Sequence, residues 1–532
     1  MAEQTETIAM RGEFRAMLAL AGPLVLANLL QMAVYAVDVV FIARLGELQL
    51  AASSLGVSVY GLLLWATTGL IGATAPVVAA ELGRKRHSVR EVRRTMRMGM
   101  WMAVLVGIPA MLICHYGEAL ILWSGQLPEV AHNAGLFLTI LKWAVIPAIL
   151  SALLRIFVSA LGRASIGTAI TLLALAVNSI GNWLLVFGHA GFPALGLQGS
   201  AISSVITTFV MLGAYLLVIR SDRRLRRYAL FGRIWKPEWS RLQTLFGIGL
   251  PIAVTVLAEG GLFNGAAFLM GLIGPSELAA HTVTLQLAAI AFQVPFGVAQ
   301  AATIRVGYHY GAGDTASIAR AGRAALTMGI GFMGLTALSM IIAPRLLLSI
   351  YVDPDAPQNA ALIGFAMQYL VVAAAFQLLD GAQAVGAGLL RGVQDTSIPM
   401  RYALFGYWLP GLMTCVGLGF YTPLKGLGVW IGLAMGLLFV ASLMLWRWSR
   451  RERPGLGIAA QKKGLSPFYR QETANEPFQA VFDLLEQRVE PGFARFGLER
   501  LNRLVRLGCI AGLAGQHQIL QAIPAVQLLR FY

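Results

Sequence analysis

An aspartate interrupts the first long apolar stretch of this sequence, VYAVDVVFIARLG at residues 34–46. Asp38 ends a series of polar residues in which Asn28, Gln31 and Tyr35 precede it by ten, seven and three positions. This spacing places the four side chains on one face of a helix, and a polar face of an apolar helix points into the protein. A carboxylate there, with no Lys or Arg within one helical turn, can load and release a proton or bind a hard cation.

Four further polar residues interrupt other apolar stretches. Asn178 and Asn182 are four positions apart and share a helix face, whereas Glu259 and Asp380 each lie in an apolar run of the second half. Hydrogen bonding to neighbouring helices is a structural explanation for such acids. A charged group at the centre of a membrane helix nevertheless costs about 2.5–3.5 kcal/mol, and three acids without a basic neighbour in sequence favour ion-coupled transport.

The composition is that of a polytopic membrane protein. Of 532 residues, 57% are hydrophobic and only 12% are charged, about half the charged fraction of a soluble domain. The net charge of +16 lies in short connections between apolar runs, so we expect no nucleic-acid partner. The sequence contains no phosphate-binding loop, no nucleophile elbow and no HExxH motif, so we expect neither an ATP-driven pump nor an enzyme, and no cofactor besides a coupling ion.

Twelve apolar runs are long enough to cross a bilayer as helices. They lie near residues 14–43, 50–80, 95–115, 133–161, 166–188, 200–220, 244–273, 277–307, 322–350, 360–390, 398–420 and 427–447. Basic residues concentrate in alternate connections, at 83–97, at 220–241, around Arg320, Arg323, Arg391 and Arg401, and at 447–454. Because short cytoplasmic loops hold the Lys and Arg residues, we expect an inner (plasma) membrane protein with both termini in the cytoplasm.

The two halves of the chain repeat each other at an offset of 228 residues. Pro23, Gly46, Gly69 and Gly83 align without a gap on Pro251, Gly274, Gly297 and Gly311. Each repeat contains six spans, so both copies have the same orientation, as in parallel-repeat transporters. The prediction is an all-α integral membrane fold of two six-helix lobes, residues 14–220 and 244–447. A cytoplasmic N-terminus (1–13), a basic linker (221–243) and a cytoplasmic tail of unknown role (448–532) complete the chain.

Several of these segments resemble the multidrug and toxic compound extrusion (MATE) transporters, in particular their NorM-type branch. They are the two repeat segments LAGPLVLANLLQMAVYAVDVVFIARLGELQLAA and GIGLPIAVTVLAEGGLFNGAAFLMGLIGPSELAA, and GLLRGVQDTSIPMR at residues 388–401. The resemblance, which covers residues 14–447, implies export of organic cations and other lipophilic drugs in exchange for H⁺ or Na⁺ by alternating access. The partners it implies are small-molecule drugs and membrane lipid, and we expect a monomer.

The resemblance also implies roles for individual residues. Asp38, Asn178 and Asn182 match a first-lobe proton or Na⁺ site, with Ser204 where the family often has Thr. Glu259 and Asp380 match a second-lobe site. We expect the substrate cleft to involve Gln31, Tyr35, Phe263, Phe292 and Phe376.

One departure bears on the coupling ion. Many NorM-type members carry Tyr one turn before the acid of the tenth span, and this chain has Phe376 there. A Na⁺ site needs several oxygen ligands, whereas a proton needs one suitable carboxylate. The sequence therefore favours H⁺ coupling, with Na⁺ expected in the first lobe if it binds.

Three other readings remain open at this point. A lipid-linked precursor flippase shares the two-lobe architecture, although its cleft is expected to be cationic. An integral-membrane enzyme and a passive channel belong to different functional classes. Transport that persists without an ion gradient would favour the channel.

Overall fold

A computed structural model describes residues 2–84, 88–232 and 234–451, with side chains from Ile8 onward. Most of the predicted tail, from residue 452, lies outside the described residues. Seventeen α-helices and no strand occur in the described part. The first nine helices are α1 Ala2–Ala43, α2 Glu47–Ile71, α3 Thr74–Arg84, α4 Ser88–His115, α5 Gly117–Trp123, α6 Pro128–Ala160, α7 Ala164–Phe187, α8 Gly196–Ser221 and α9 Arg223–Arg226. The others are α10 Trp239–Ile273, α11 Pro275–Ala312, α12 Thr315–Ile342, α13 Pro344–Leu348, α14 Ala360–Gly392, α15 Ser397–Gly406, α16 Leu412–Phe420 and α17 Gly426–Ser449, with a 3₁₀ turn at Pro357–Asn359 and a π-helical turn at Tyr407–Gly411.

Twelve helical segments of the described chain are long and apolar enough to cross a membrane, which confirms the predicted number. Local sequence explains several boundaries. Gly46 has a φ of 115° and separates α1 from α2, and Gly188 ends α7 in the left-handed conformation with a φ of 73°. Pro275 begins α11 at a position where its missing N–H is not needed. Pro23 and Pro251 lie inside α1 and α10, at equivalent places of the two repeats.

The described helices form two lobes, each with its own hydrophobic core. One core is built mainly from α2 to α8 and includes Phe157, Leu153 and Met98, all fully buried. The other is built mainly from α10 to α17 and includes Trp430 and Tyr407. The first helix of each half also contributes to the core of the other half, since Met17 and Leu24 of α1 belong to the second core and Leu245 of α10 belongs to the first. The division of the chain at residues 14–220 and 244–447 stays a prediction.

Paired glycine contacts between the lobes confirm the internal repeat. Gly83 on α3 packs so tightly on α11 that a methyl group there would overlap the carbonyl oxygen of Tyr308. Gly311 on α11 packs equally tightly on the carbonyl oxygen of Ala80. Gly83 and Gly311 are equivalent at the offset of 228, and so are Ala80 and Tyr308. Two surfaces that exchange equivalent contacts in this way are related by a pseudo-two-fold axis.

A second crossed pair lies deeper in the interface. A Cβ on Gly69 would lie 3.2 Å from the Cα of Ala253, and one on Gly297 would lie 2.9 Å from the backbone nitrogen of Val25. Gly69 is equivalent to Gly297, and Val25 to Ala253. Small residues thus let α2 approach α10 and α1 approach α11, as membrane helix interfaces require.

Ion pairs join the two lobes at one end of the bundle, called here the basic end and defined by Arg84, Arg94, Arg241 and Arg305. Arg305 of α11 donates to Glu13 of α1 at 2.9 Å through Nε. On the other side of the interface, Arg241 of α10 pairs with Glu91 of α4. These contacts, together with the Gly83 and Gly311 packing, hold the lobes together at the basic end.

Glu238 ties the segment before α10 to α4. Its carboxylate accepts from Arg94 Nε at 2.7 Å and pairs with Arg97. The hydrogen bond from Arg94 is the main cause that holds the pKa of Glu238 below its usual value. The charged carboxylate is therefore stabilising above the ordinary pKa of glutamate, and its contribution is lost as the pH falls through the lowered pKa.

Glu238→Gln should accordingly lower stability at neutral pH, by about 1 to 3 kcal/mol for hydrogen bonds to charged groups, and should have little effect in strong acid. Thermal unfolding in detergent over a pH series measures this difference. Glu129→Gln, at an exposed glutamate, is the control. A constant difference between Glu238→Gln and the unaltered protein at all pH values would contradict the role given to the charge.

Candidate functional site

The structure brings together the four residues predicted for the first lobe. Asp38 Oδ1 accepts hydrogen bonds from Asn178 Nδ2 at 3.0 Å and Asn182 Nδ2 at 2.7 Å. Ser204 Oγ donates to Asp38 Oδ2 at 3.0 Å. The carboxylate of α1 is thus held by two side chains of α7 and one of α8.

Glycine positions this site by allowing α7 and α8 to approach closely. A Cβ at Gly181, next to Asn182, would overlap the hydroxyl of Ser203. At this short separation Ser203 Oγ donates to the backbone oxygen of Asn178 at 3.1 Å. Asn178 and Asn182 are completely buried, so their amides are fixed before any ligand arrives, and fixed groups are what a selective site requires.

The first-lobe site suits either a proton or a small hard cation. Among the described residues, no Lys, Arg or His forms an ion pair with Asp38. The buried Oδ1 of Asn182 has no hydrogen-bond donor in the described structure, so it is a free acceptor beside the carboxylate. Oxygen atoms of a carboxylate, an amide and a hydroxyl are the ligands that Na⁺-like hard cations prefer, while the same carboxylate can bind a proton.

The second-lobe acids come from different helices and lie near each other. Glu259 is half-buried on α10, and Asp380 on α14 is only 5% exposed. The two carboxyl groups interact electrostatically, and Asp380 Oδ1 has no hydrogen-bond partner among the described residues. Two carboxylates that share a buried region favour a state in which one of them is protonated.

Sequence analysis did not identify three other groups around these acids. Arg391, counted there with the cytoplasmic basic residues, lies in the last turn of α14 and acts on Glu259. Gln383 and Tyr407 are also buried beside the acids. The sequence does carry a signal for Arg391 and Gln383, because they share one face of α14 with Asp380, at eleven and three positions from it.

The five residues predicted for the substrate cleft do not form one surface. Tyr35 is 43% exposed on the same face of α1 as Asp38, and Gln31 is half-buried on that face. Phe376 is only 1% exposed and packs between Phe263 and Trp430, with ring centroids 5.9 and 5.6 Å away. The ring of Phe376 therefore packs in the core of the second lobe in this structure, and a role of Phe376 in the cleft stays a prediction.

Phe292, the remaining residue predicted for the cleft, lies on α11. Its ring stacks on Phe296 with the centroids 5.7 Å apart. This aromatic pair belongs to the second lobe, and no contact of Phe292 with Glu259 or Asp380 is seen in the described structure.

Comparison with known families agrees with the internal repeat. The sequence profile of the MatE family matches the chain twice, at residues 23–184 and 251–416. The two matches begin 228 residues apart, which is the offset of the crossed glycine contacts. The match includes Asp38, both asparagines, Glu259 and Asp380.

Similar proteins and solved structures cover most of the chain. A probable multidrug resistance protein NorM of Mesorhizobium japonicum is 46% identical over 443 residues, which are 83% of this chain and 95% of the relative. The multidrug resistance protein NorM of Burkholderia vietnamiensis is 37% identical, over 80% of this chain and 92% of its own length. The crystal structure of the eukaryotic MATE transporter AtDTX14 has the same fold, with a TM-score of 0.73 at 21% identity over 82% of this chain and 95% of that one.

Proposed function

This chain belongs to the MatE family of membrane transporters, and we propose that it is a multidrug antiporter that exports organic cations and other lipophilic compounds in exchange for H⁺ or Na⁺. The family consists of transporters rather than enzymes. Relatives named as multidrug resistance proteins support efflux of drugs. The coupling ion and the transport cycle are inferred from the site itself.

The observation that carries the proposal is the environment of Asp38. Its carboxylate receives three hydrogen bonds from α7 and α8 and has no basic ion-pair partner in the described structure. A permanent structural carboxylate in an apolar bundle would be expected to have a counter-ion. A carboxylate held by neutral donors is instead suited to gaining and losing a small cation during each cycle.

The packing of the lobes supports alternating access. The contacts at the basic end are the crossed pair Gly83 and Gly311, Glu13 with Arg305, and Arg241 with Glu91, and the pair Gly69 and Gly297 extends the contact deeper into the bundle. Tyr35, farther along α1 toward the opposite end, is 43% exposed. We therefore infer that this conformation is closed at the basic end and opens between the lobes at the other end.

The direction of transport follows if the basic end is cytoplasmic, as the distribution of Lys and Arg predicts. A lipophilic cation would enter when the lobes separate at the basic end and leave when they separate at the opposite end. Uptake of H⁺ or Na⁺ from outside would return the transporter to the inward-open state. Exchange requires only that ion and drug stabilise different states of the two lobes.

H⁺ is the coupling ion we favour for the second lobe. Glu259 interacts with the guanidinium of Arg391 and with Asp380, and a resident cation opposes the binding of a second metal cation. The oxygen-rich site at Asp38, Asn178 and Asn182 is where Na⁺ would bind, if it binds. We expect the protein to work as a monomer in the plasma membrane, with both termini in the cytoplasm.

Transport by purified protein in lipid vesicles tests this proposal. Efflux of a fluorescent organic cation is followed under an imposed pH gradient in Na⁺-free buffer, and separately under a Na⁺ gradient at equal pH. We expect the pH gradient to accelerate efflux and protons to move in the opposite direction. Equal efflux with and without either gradient would refute antiport and would indicate a passive channel.

A further inference from the structure

A π-helical turn at Tyr407–Gly411 separates α15 from α16. Such turns insert an extra residue into the helical register and often occur at functional sites. Here the turn contains Pro410 and begins at Tyr407, whose side chain is completely buried in the second lobe. The hydroxyl of Tyr407 forms no hydrogen bond of normal geometry in the described structure, and the amide of Gln383 is the polar group that interacts with it. A buried tyrosine hydroxyl normally has a partner, so this hydroxyl is available to donate to a carboxylate of the second lobe.

The groups around this hydroxyl are those of the second-lobe site. Tyr407 interacts electrostatically with three charged side chains: Glu259 on α10, and Asp380 and Arg391 on α14. The amide of Gln383 lies beside its hydroxyl. Asp380 Oδ1 and Gln383 Oε1 are also buried without a partner in the described structure. His281 on α11 is separate from this cluster, since its ring packs on Trp430 at 5.5 Å.

The charges of the cluster do not cancel when both acids are ionised. Glu259 and Asp380 contribute two negative charges, and Arg391 contributes one positive charge. Asp380 is buried and Glu259 is half-buried. An unbalanced charge in such an apolar environment is costly, so one additional positive charge is favoured. A single proton shared by the two carboxyl groups would supply it.

We propose that Tyr407 and Arg391 are functional parts of the second-lobe site and that they set the pH at which Glu259 and Asp380 release one shared proton. This proposal deepens the proposed function and depends on it. The hydroxyl of Tyr407 would donate to the carboxylate left ionised when the proton leaves. It would thereby replace, from a different helix, the hydroxyl that is missing at Phe376. Arg391 would balance the other carboxylate, so that the pair binds one proton rather than two.

The direction in which each substitution shifts the pH profile of efflux can be predicted. A hydroxyl that donates to a carboxylate favours the ionised form, and so does a nearby guanidinium. Tyr407→Phe should therefore move the pH of half-maximal H⁺-driven efflux upward by about one unit, the size expected for one hydrogen bond to a charged group. Arg391→Gln should move it upward by about one to three units, as for loss of an opposite charge, whereas Arg391→Lys should largely retain the original profile.

The test measures the pH profile of efflux in vesicles together with the KM for the drug. Tyr369→Phe is the matched control, because Tyr369 is equally buried in the same lobe and its hydroxyl also lacks a partner in the described structure, but it packs on Trp430. We expect shifted profiles with an unchanged drug KM for Tyr407→Phe and Arg391→Gln, and no shift for Tyr369→Phe. If Tyr407→Phe fails to fold, the pH profiles of Arg391→Gln and Arg391→Lys are sufficient to test the proposal.

The outcomes separate this inference from the function on which it depends. An unaltered protein that responds to a pH gradient, combined with unshifted profiles in Tyr407→Phe and Arg391→Gln, would overturn the inference only. Equal shifts in Tyr369→Phe and Tyr407→Phe would also overturn it, because they would show a general effect of losing a hydroxyl. An unaltered protein that responds to neither gradient would refute the proposed function and this inference together.

Discussion

Asp38→Asn is expected to abolish gradient-driven efflux while leaving a folded protein in the membrane. Asparagine has nearly the shape of aspartate, and its oxygen can still accept from Asn178 or Asn182, which donate to Asp38 at 3.0 and 2.7 Å. It cannot be ionised, however, so it neither releases a proton nor attracts a cation. Coupling between two ligands typically amounts to about 1–3 kcal/mol, or 5- to 150-fold, and we expect efflux under a pH gradient to fall at least about tenfold.

The control for this variant is Asp353→Asn, which removes a carboxylate from an exposed position and should transport normally. Size-exclusion chromatography and drug binding establish that Asp38→Asn is folded. If Asp38→Asn transports at the normal rate, Asp38 is a structural residue and the first-lobe site is not the site of coupling. The same comparison applies to Glu259→Gln and Asp380→Asn in the second lobe.

Gly83→Ala should prevent the lobes from closing at the basic end and should trap the transporter in the other state. The added methyl group would overlap the carbonyl oxygen of Tyr308, which is backbone and cannot move aside as a side chain can. Overpacking of this kind costs about 1–3 kcal/mol or more, enough to shift a two-state equilibrium about 5- to 150-fold. Gly311→Ala should act in the same way, because its methyl group would overlap the carbonyl oxygen of Ala80.

The expected result for both glycine variants is loss of efflux with an increase in thiol labelling at cysteines introduced along the inner part of the interface, for example at Ala79. Gly247→Ala is the control, since it lies on α10 with no heavy atom within 4 Å of an added Cβ. Normal transport by Gly83→Ala would mean that the tight crossing of α3 and α11 is not part of a closed state of the cycle.

The sequence predicted the architecture well for identifiable physical reasons. Apolar runs of membrane length leave few alternatives to a spanning helix, and all twelve occur in the described structure. The repeat could be found because Gly69, Gly83, Gly297 and Gly311 are sites of close backbone contact, where a larger residue would be crowded or would clash. The grouping of Asp38 with two asparagines followed from the polar faces of α1 and α7.

The parts that the sequence did not predict depend on packing between helices. Tyr407 lies at the start of a π-helical turn and interacts with both acids, and no regular periodicity identifies such a turn. The charge of Arg391 predicts a residue of a cytoplasmic connection. In the structure Arg391 belongs to the last turn of α14 and interacts with Glu259. Phe376 was expected in the cleft, but its ring packs against Phe263 and Trp430 in the core of the second lobe.

The central claim, obligatory exchange of drug for an ion at the Asp38 site, is tested most directly by driving the reaction with the drug alone. Vesicles containing the unaltered protein or Asp38→Asn are loaded with an organic cation and diluted into drug-free buffer of equal pH and equal Na⁺ concentration. A pH indicator and a Na⁺ indicator report ion movement as the drug leaves. Exchange predicts that H⁺, or Na⁺, enters in proportion to the drug released by the unaltered protein and that neither ion enters with Asp38→Asn. Release of drug by the unaltered protein without movement of either ion would contradict it.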